Sequence, residues 1–189
     1  GGETIRVGDS DTSMSNSRTV VEHNLFEKCS GEVEIVSNKS CENVYRYNTF
    51  LNCQGAVTLR QGNRCTVEGN FFLGNNQKNT GGVRIIGEDH LVYNNYFTGL
   101  TGTDLRSALS LLNGIPNSPL HGYFQVKRAM VIFNTFVDCR SSWLIGRVSR
   151  DPPGGILPPE DCIIANNIVL GKKAPLVRED SKPVNLRWQ

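Results

Sequence analysis

Two glutamates separated by one residue, Glu32 and Glu34, are the first candidates for chemistry in this sequence. On a β-strand, residues i and i+2 project from the same face, so these carboxylates would lie roughly 7 Å apart at the backbone. Two like charges this close repel each other unless positive charge lies between them. A hard cation such as Ca²⁺, which binds oxygen ligands, would relieve the repulsion.

Three basic residues, Lys39, Arg60 and Arg84, offer a second explanation for the same pair of carboxylates. They could neutralise the glutamates as an ion-pair network on the surface. The spacing alone favours this network, because runs of charge are usually solvated faces. A metal site and an ion-pair network both stay open at this point.

The elements that must position these side chains follow an internal repeat. Each copy is a short β-prone run, an asparagine, one further residue and a bulky apolar side chain, and the asparagines are Asn24, Asn48, Asn70, Asn95, Asn134 and Asn167. The first three steps, of 24, 22 and 25 residues, fit one turn of a β-solenoid. The sequence therefore predicts an all-β fold, a right-handed parallel β-helix of about six coils.

The remaining two steps, of 39 and 33 residues, require loop insertions. Prolines fall in those stretches, at positions 116, 119, 152, 153, 158 and 159. We expect each repeat asparagine to tolerate an unusual backbone angle and to hydrogen-bond to its copy one coil away. The 189 residues form a single domain in this interpretation, and the opening Gly1-Gly2-Glu3 suggests a fragment truncated at both ends.

Five of the six cysteines keep to the same register. Cys29, Cys53 and Cys139 each follow a repeat asparagine by five residues, whereas Cys65 and Cys162 each precede one by five. A buried column of small apolar thiols explains this pattern. Disulfides are the alternative in an exported protein. A zinc site is disfavoured, because the sequence has no CxxC pair or Cys/His cluster.

A second strand in each coil carries the charged side chains. Aligning these strands predicts a core-facing column of Val33, Val57 and Val83. The opposite face would carry five polar or charged residues, with Lys39 just beyond the strand: Glu32, Glu34, Thr58, Arg60 and Arg84.

Several function classes are disfavoured by the composition. The net charge is +2 and the basic residues are scattered, which argues against a nucleic-acid partner. No apolar run approaches the roughly 18 residues that span a bilayer, so no membrane partner is expected. The sequence contains no Gly-x-Ser-x-Gly, His-Glu-x-x-His or phosphate-binding glycine-rich motif.

The charged residues lie in a stretch that resembles polysaccharide lyase family six, which contains alginate lyases and the dermatan-cleaving chondroitinase B. The specific signal is Glu-x-Glu-x4-Lys, from Glu32 to Lys39, followed 21 residues later by Arg60. The likeness covers about the first 100 residues and extends over positions 1–8, 32–40, 42–45, 48–55, 59–62, 80–87 and 94–97.

This resemblance implies roles for individual residues. Lys39 would be the Brønsted base and Arg60 the Brønsted acid, while Glu32 and Glu34 would be Ca²⁺ ligands. Arg84 matches a residue that contacts the substrate carboxylate. The family's third ligand is an asparagine that would fall immediately before Gly1, so one ligand is missing from this sequence.

Two of the three histidines can be interpreted from their neighbours in the sequence. His90 follows a Gly-Glu-Asp turn, so we expect it to be exposed, and we assign it to substrate binding. His23 precedes a repeat asparagine and is interpreted as structural.

The expected function is β-elimination of an anionic polysaccharide containing uronate, with alginate (polymannuronate) as the substrate. The Thr80–Gly87 stretch favours alginate over dermatan. The alternatives are dermatan or chondroitin B cleavage, and a carbohydrate-binding β-helix without catalysis. A third alternative is an inactive fragment of a longer enzyme. A polymer substrate implies that the protein is secreted or periplasmic.

Overall fold

The computed structural model describes residues 2–147, 155–171 and 175–189, and these residues form a parallel β-helix with three sheets. Strands are numbered along the chain. The first sheet contains β1 (Ile5–Gly8), β4 (Glu34–Lys39), β7 (Ala56–Gln61), β10 (Val83–Ile85), β13 (Leu109–Leu112), β16 (Trp143–Arg147) and β19 (Val177–Glu179). The second contains β2 (Val20–Glu22), β5 (Val44–Arg46), β8 (Thr66–Glu68), β11 (Leu91–Tyr93), β14 (Met130–Ile132), β17 (Ile163–Ala165) and β20 (Arg187–Trp188). The third contains β3 (Leu25–Glu27), β6 (Thr49–Leu51), β9 (Phe71–Leu73), β12 (Tyr96–Thr98), β15 (Thr135–Val137) and β18 (Ile168–Leu170).

Each coil contributes one strand to each sheet, and every strand pairs in parallel with its counterparts in the neighbouring coils. The coil is right-handed, as parallel crossovers almost always are. Sheets of six and seven strands confirm the predicted architecture of about six coils. The described residues include one short 3₁₀-helix, Asp104–Arg106, and none of their helices is long and apolar enough to cross a membrane.

Apolar columns fill the interior, because residues at equal positions in successive coils stack directly on one another. The clearest column is a series of phenylalanines on the third sheet, with ring centroids 4.4–4.7 Å apart in nearly parallel planes: Phe26, Phe50, Phe72, Phe97 and Phe136. The rings repeat at the spacing of the strands, so each coil provides the packing surface for the next.

An asparagine ladder forms the corner between the second and third sheets, as the repeat predicts. The Nδ2 of each repeat asparagine donates to the Oδ1 of the next at 2.9–3.1 Å, from Asn24 to Asn167. The unusual backbone angle lies one residue earlier than expected. Positive φ values of 54–59° occur at the preceding residues: His23, Tyr47, Gly69, Asn94, Phe133 and Asn166.

All six cysteines are free thiols, and all but the half-buried Cys29 are buried. This confirms the interpretation of the cysteines as packing residues. Burial raises the pKa of Cys65, Cys139 and Cys162 to about 11 each, so these thiols stay protonated and unreactive at neutral pH.

The predicted register of the first sheet is wrong for β4. Val36, not Val33, pairs with Val57 and Val83 in the core column, and Val33 precedes the strand. The shift arises because β4 has a bulge between Glu34 and Val36, which admits one residue without a partner. The outward column is therefore Ser37, Thr58 and Arg84, and Lys39 is the last residue of β4.

Candidate active site

Lys39 and Arg60 lie on neighbouring strands at the same end of the first sheet. The register aligns Gly8 of β1 with Lys39 of β4, and Lys39 with Gln61 of β7. Arg60 occupies a bulge in β7, between the positions paired with Asn38 and Lys39. Lys39 is half-buried on the outer face, and Arg60 extends to a loop that lies outside the same wall. The two cationic side chains therefore leave adjacent strands on the same face of the sheet.

Three carboxylates form a cluster beside this pair. One oxygen from each of Glu3, Glu32 and Glu34 lies within 4.8 Å of the other two. The sequence analysis identified Glu32 and Glu34 but missed Glu3. The alignment of successive coils could have revealed Glu3. Ile5 pairs with Val36, so Glu3, two residues earlier, lies opposite Glu34.

Positive charge surrounds the cluster. Arg6 donates to both carboxylate oxygens of Glu3, at 2.9 and 3.0 Å, and this hydrogen bonding lowers the pKa of Glu3. Hydrogen bonds make the largest contribution to the lowered pKa values of Glu3 and Asp9. The positive charge of Lys39 lowers both pKa values further. All of these groups therefore belong to one electrostatic site.

Arg84 differs from its expected position. It was assigned to the substrate carboxylate, but its side chain is 1% exposed and donates a hydrogen bond to Glu34. Because Arg84, Thr58 and Ser37 are in register on the same face, the Arg84 side chain must cross β7 to reach Glu34 on β4. The structure thus corrects Arg84 from an open substrate contact to the buried partner of a carboxylate in the cluster.

Arg60 is held by a loop between β13 and β14, which we call the covering loop (residues 113–129). Its Nη1 donates to the carbonyl of Gly122 at 2.7 Å, and its Nη2 donates to that of His121 at 3.2 Å. Its guanidinium carbon lies 4.1 Å from the centre of the Tyr123 ring. Burial lowers the pKa of Arg60, an effect that Tyr123 and Glu34 partly oppose and Arg84 reinforces.

The expectation that His90 is exposed for substrate binding is wrong. Its side chain is 1% exposed, and both ring nitrogens are engaged by the backbone. Nδ1 accepts from the Cys65 N–H at 3.1 Å, and Nε2 lies 2.9 Å from the Ile86 carbonyl, to which it donates in this tautomer. His90 is therefore a structural residue that satisfies two backbone groups inside the coil.

The buried His90 predicts a pH dependence of stability. Burial lowers its pKa to about 4, below the value of about 6.5 in an unfolded chain. Between these values the unfolded state binds the extra proton, so the free energy of unfolding should fall by up to about 3 kcal/mol from pH 6.5 to pH 4. Urea denaturation of wild type and His90→Gln across this range measures the effect. The variant should be less stable at pH 7 and should lose less on acidification; parallel curves would contradict the prediction.

Comparisons with known proteins agree with this fold. The family model described as Chondroitinase B matches residues 1–152. Among solved structures, alginate lyase AlyF-OU02 in a complex with G6 superposes with a TM-score of 0.89 at 29% identity, over 98% of this chain and 44% of its own. The PL6 family alginate lyase AlyGC gives a TM-score of 0.85 at 36% identity, over 100% of this chain and 28% of its own.

A mannuronic acid specific family 6 lyase from human gut microbiota gives a TM-score of 0.79 at 32% identity, over 97% of this chain and 39% of its own. The chain thus spans less than half the length of each of these three solved proteins. A comparison with curated proteins finds no match.

The coil has the architecture of the parallel β-helix polysaccharide lyases to which it is similar. The chain belongs to the chondroitinase B family, within polysaccharide lyase family 6.

Proposed function

We propose that this chain carries the catalytic centre of a Ca²⁺-assisted lyase that cleaves a uronate polysaccharide, alginate, by β-elimination. The observation that carries the proposal is the grouping of Lys39, Arg60 and three carboxylates on one outer wall of the first sheet. A binding module without catalysis has no need for this combination of groups. The alginate lyases among the structural neighbours support the choice of substrate.

The residues present fit a calcium ion. Glu3, Glu32 and Glu34 offer only carboxylate oxygens, which are the ligands a hard cation prefers, and they converge within 4.8 Å. When bound, Ca²⁺ would supply positive charge that stabilises the charge developing on the uronate carboxylate and offsets the glutamates beside Lys39. Glu3 supplies a third carboxylate to a cluster in which the sequence analysis had found only two ligands.

Lys39 would remove the proton from C5 of the uronate. Its Nζ takes that proton in neutral form, the electron pair forms the C4=C5 double bond, and the bond from C4 to the glycosidic oxygen breaks.

Arg60 would assist the departing oxygen at C4. A guanidinium is a weak acid in water, but burial lowers the pKa of Arg60 and makes proton donation less unfavourable. Two of its five N–H groups bond the covering loop, which leaves others free to donate to the leaving oxygen.

Activity is tested by mixing the chain with polymannuronate, polyguluronate or dermatan sulfate in the presence of calcium and following ultraviolet absorbance from the new double bond. We expect absorbance with an alginate polymer and its loss after chelation. Absorbance with dermatan sulfate alone would favour the alternative that the Chondroitinase B match supports. Binding without absorbance would favour a non-catalytic carbohydrate-binding solenoid.

The calcium ligands are tested with Glu32→Gln. Glu32 is exposed, so the change should leave the fold intact while removing one charged ligand. Calorimetric titration should show Ca²⁺ affinity reduced by about 10-fold or more, because affinity depends on the number of charged ligands. Glu27→Gln, an exposed glutamate on the third sheet, is the matched control and should not change the affinity. Equal affinity in wild type and Glu32→Gln would exclude Glu32 as a ligand.

A polymeric substrate outside the cell implies that the protein is secreted or periplasmic. Fractionation of the source cells should recover the activity outside the cytoplasm, and purely cytoplasmic recovery would contradict this assignment.

A further inference from the structure

Arg60 is held from three sides by the covering loop. Two backbone carbonyls, of His121 and Gly122, accept from different terminal nitrogens, and the Tyr123 ring covers a face of the guanidinium. Two hydrogen bonds and the ring contact together restrict the position and the orientation of the guanidinium. The remaining N–H groups therefore point in a defined direction, although the arginine side chain itself has four rotatable bonds.

The covering loop is itself anchored to the coil on either side of these contacts. The Leu120 carbonyl accepts from Gln61 Nε2 at 2.8 Å and from Ser13 Oγ at 3.4 Å. Tyr123 is 5% exposed and packs in a small apolar cluster with Ile86 and Leu112. The contacts on Arg60 thus rest on a fixed support, and they are independent of the metal cluster.

Arg60 needs such support because its neighbours pull it in different directions. The charge of Arg84 repels it, and that of Glu34 attracts it toward the carboxylate cluster. Without the loop, the guanidinium could turn toward Glu34 and away from a leaving group. A cationic group stacked on a tyrosine face, with carbonyls in its plane, is stabilised in one orientation.

We propose that Tyr123 is a positioning residue for the lyase reaction, and that it acts by holding the Arg60 guanidinium in the orientation that serves the leaving oxygen. This proposal rests on the proposed function, because it assigns Tyr123 a role only through Arg60. The ring, not the phenol hydroxyl, makes the contact, so Tyr123→Phe should retain the role and Tyr123→Leu should lose it.

A double-mutant cycle tests the proposal. Tyr123→Leu should lower kcat on polymannuronate by about 10- to 100-fold with KM changed by less than about threefold, because misplacing a catalytic group affects the chemical step more than binding. Tyr123→Phe should stay within about threefold of wild type. In an Arg60→Ala background, Tyr123→Leu should cause no further loss, because the residue through which it acts is gone.

Two measurements separate positioning from loss of fold. Thermal unfolding measures the stability of each variant. The NMR chemical shift of the Arg60 Nε–H shows whether an aromatic ring lies over the guanidinium, because the face of the ring shifts a nearby proton upfield. Tyr123→Leu should abolish that shift, and Tyr123→Phe should keep it. Tyr47→Leu, at an exposed tyrosine on the corner of the second and third sheets, is the control and should leave kcat unchanged.

The outcomes distinguish the two proposals. Absence of lyase activity in wild type would overturn the proposed function, whatever the NMR shows. Activity in wild type with equal losses from Tyr123→Leu in both backgrounds would overturn only the positioning role. An unchanged kcat in Tyr123→Leu would overturn it as well.

Discussion

Lys39→Ala should reduce the turnover of polymannuronate by about 10²- to 10⁴-fold, the range expected when a general base is removed. The loss should appear in kcat, because the variant retains the wall that binds the polymer but cannot take the C5 proton. Lys39 is half-buried at the end of β4 and has the charges of Glu3 and Asp9 nearby. The assay is ultraviolet absorbance of the product, with circular dichroism to verify that the coil is intact.

The matched control for this change is Lys28→Ala. Lys28 is exposed, pairs with Glu27 and follows β3 on the third sheet, away from the charged wall. It should be as active as wild type. Activity retained by Lys39→Ala would exclude Lys39 as the base, and a matching loss in Lys28→Ala would show that the effect is not specific to the site.

Arg84→Met should lower the free energy of unfolding by about 3–5 kcal/mol, because it removes one partner of a buried ion pair and leaves the other charge uncompensated. Arg84 is 1% exposed and Glu34 is 6% exposed, so water cannot replace the lost partner. Chemical denaturation measures the change. If Arg84 were an open substrate contact, the same substitution would raise KM and leave stability nearly unchanged.

Two further variants sharpen this test. Arg46→Met removes the partner of Glu22 in a half-exposed pair on the second sheet, and it should cost no more than about 1 kcal/mol. The double variant Arg84→Met with Glu34→Leu replaces the whole buried pair by apolar groups. It should recover much of the stability lost in Arg84→Met, because the uncompensated charge is also gone. A double variant no more stable than Arg84→Met would show that the pair is not the source of the effect.

The fold could be predicted because the repeat is carried by one residue type with one physical role. Asparagines at steps of 22 to 25 residues imply coils, and the ladder from Asn24 to Asn167 uses their amides in the way that the repeat suggests. The exact register was less accessible. The bulge in β4 adds an unpaired residue, and period-two reasoning cannot detect such an addition, so Val33 was chosen where Val36 belongs.

The candidate site could be predicted only in part, because Glu32 and Glu34 were identified but Glu3 was missed. Glu32 and Glu34 converge, and Lys39 and Arg60 end adjacent strands of one sheet, whereas their chemical roles stay predictions. Burial could not be read from the sequence. Arg84 and His90 are polar residues that a linear reading places on the surface, yet an ion pair in one case and two backbone groups in the other hold them inside.

The covering loop was predicted only as an insertion. The long step between Asn95 and Asn134 and the prolines at 116 and 119 signalled extra residues, and the structure places a loop there. Its contact with Arg60 joins residues 61 and 62 positions apart through backbone carbonyls. Carbonyls are common to all residue types, so no sequence pattern could have revealed this contact.

The connections between strands differ sharply in the number of residues they contain. The corner of the asparagine ladder always has two residues, whereas the connection from the first to the second sheet ranges from residues 40–43 to residues 113–129. Extra chain can therefore enter beside the charged wall without disturbing the stacking period of the coil. Exchanging such a segment between related proteins should leave the melting temperature of the scaffold nearly unchanged, which makes this edge a suitable place for altering the surface beside the charged wall.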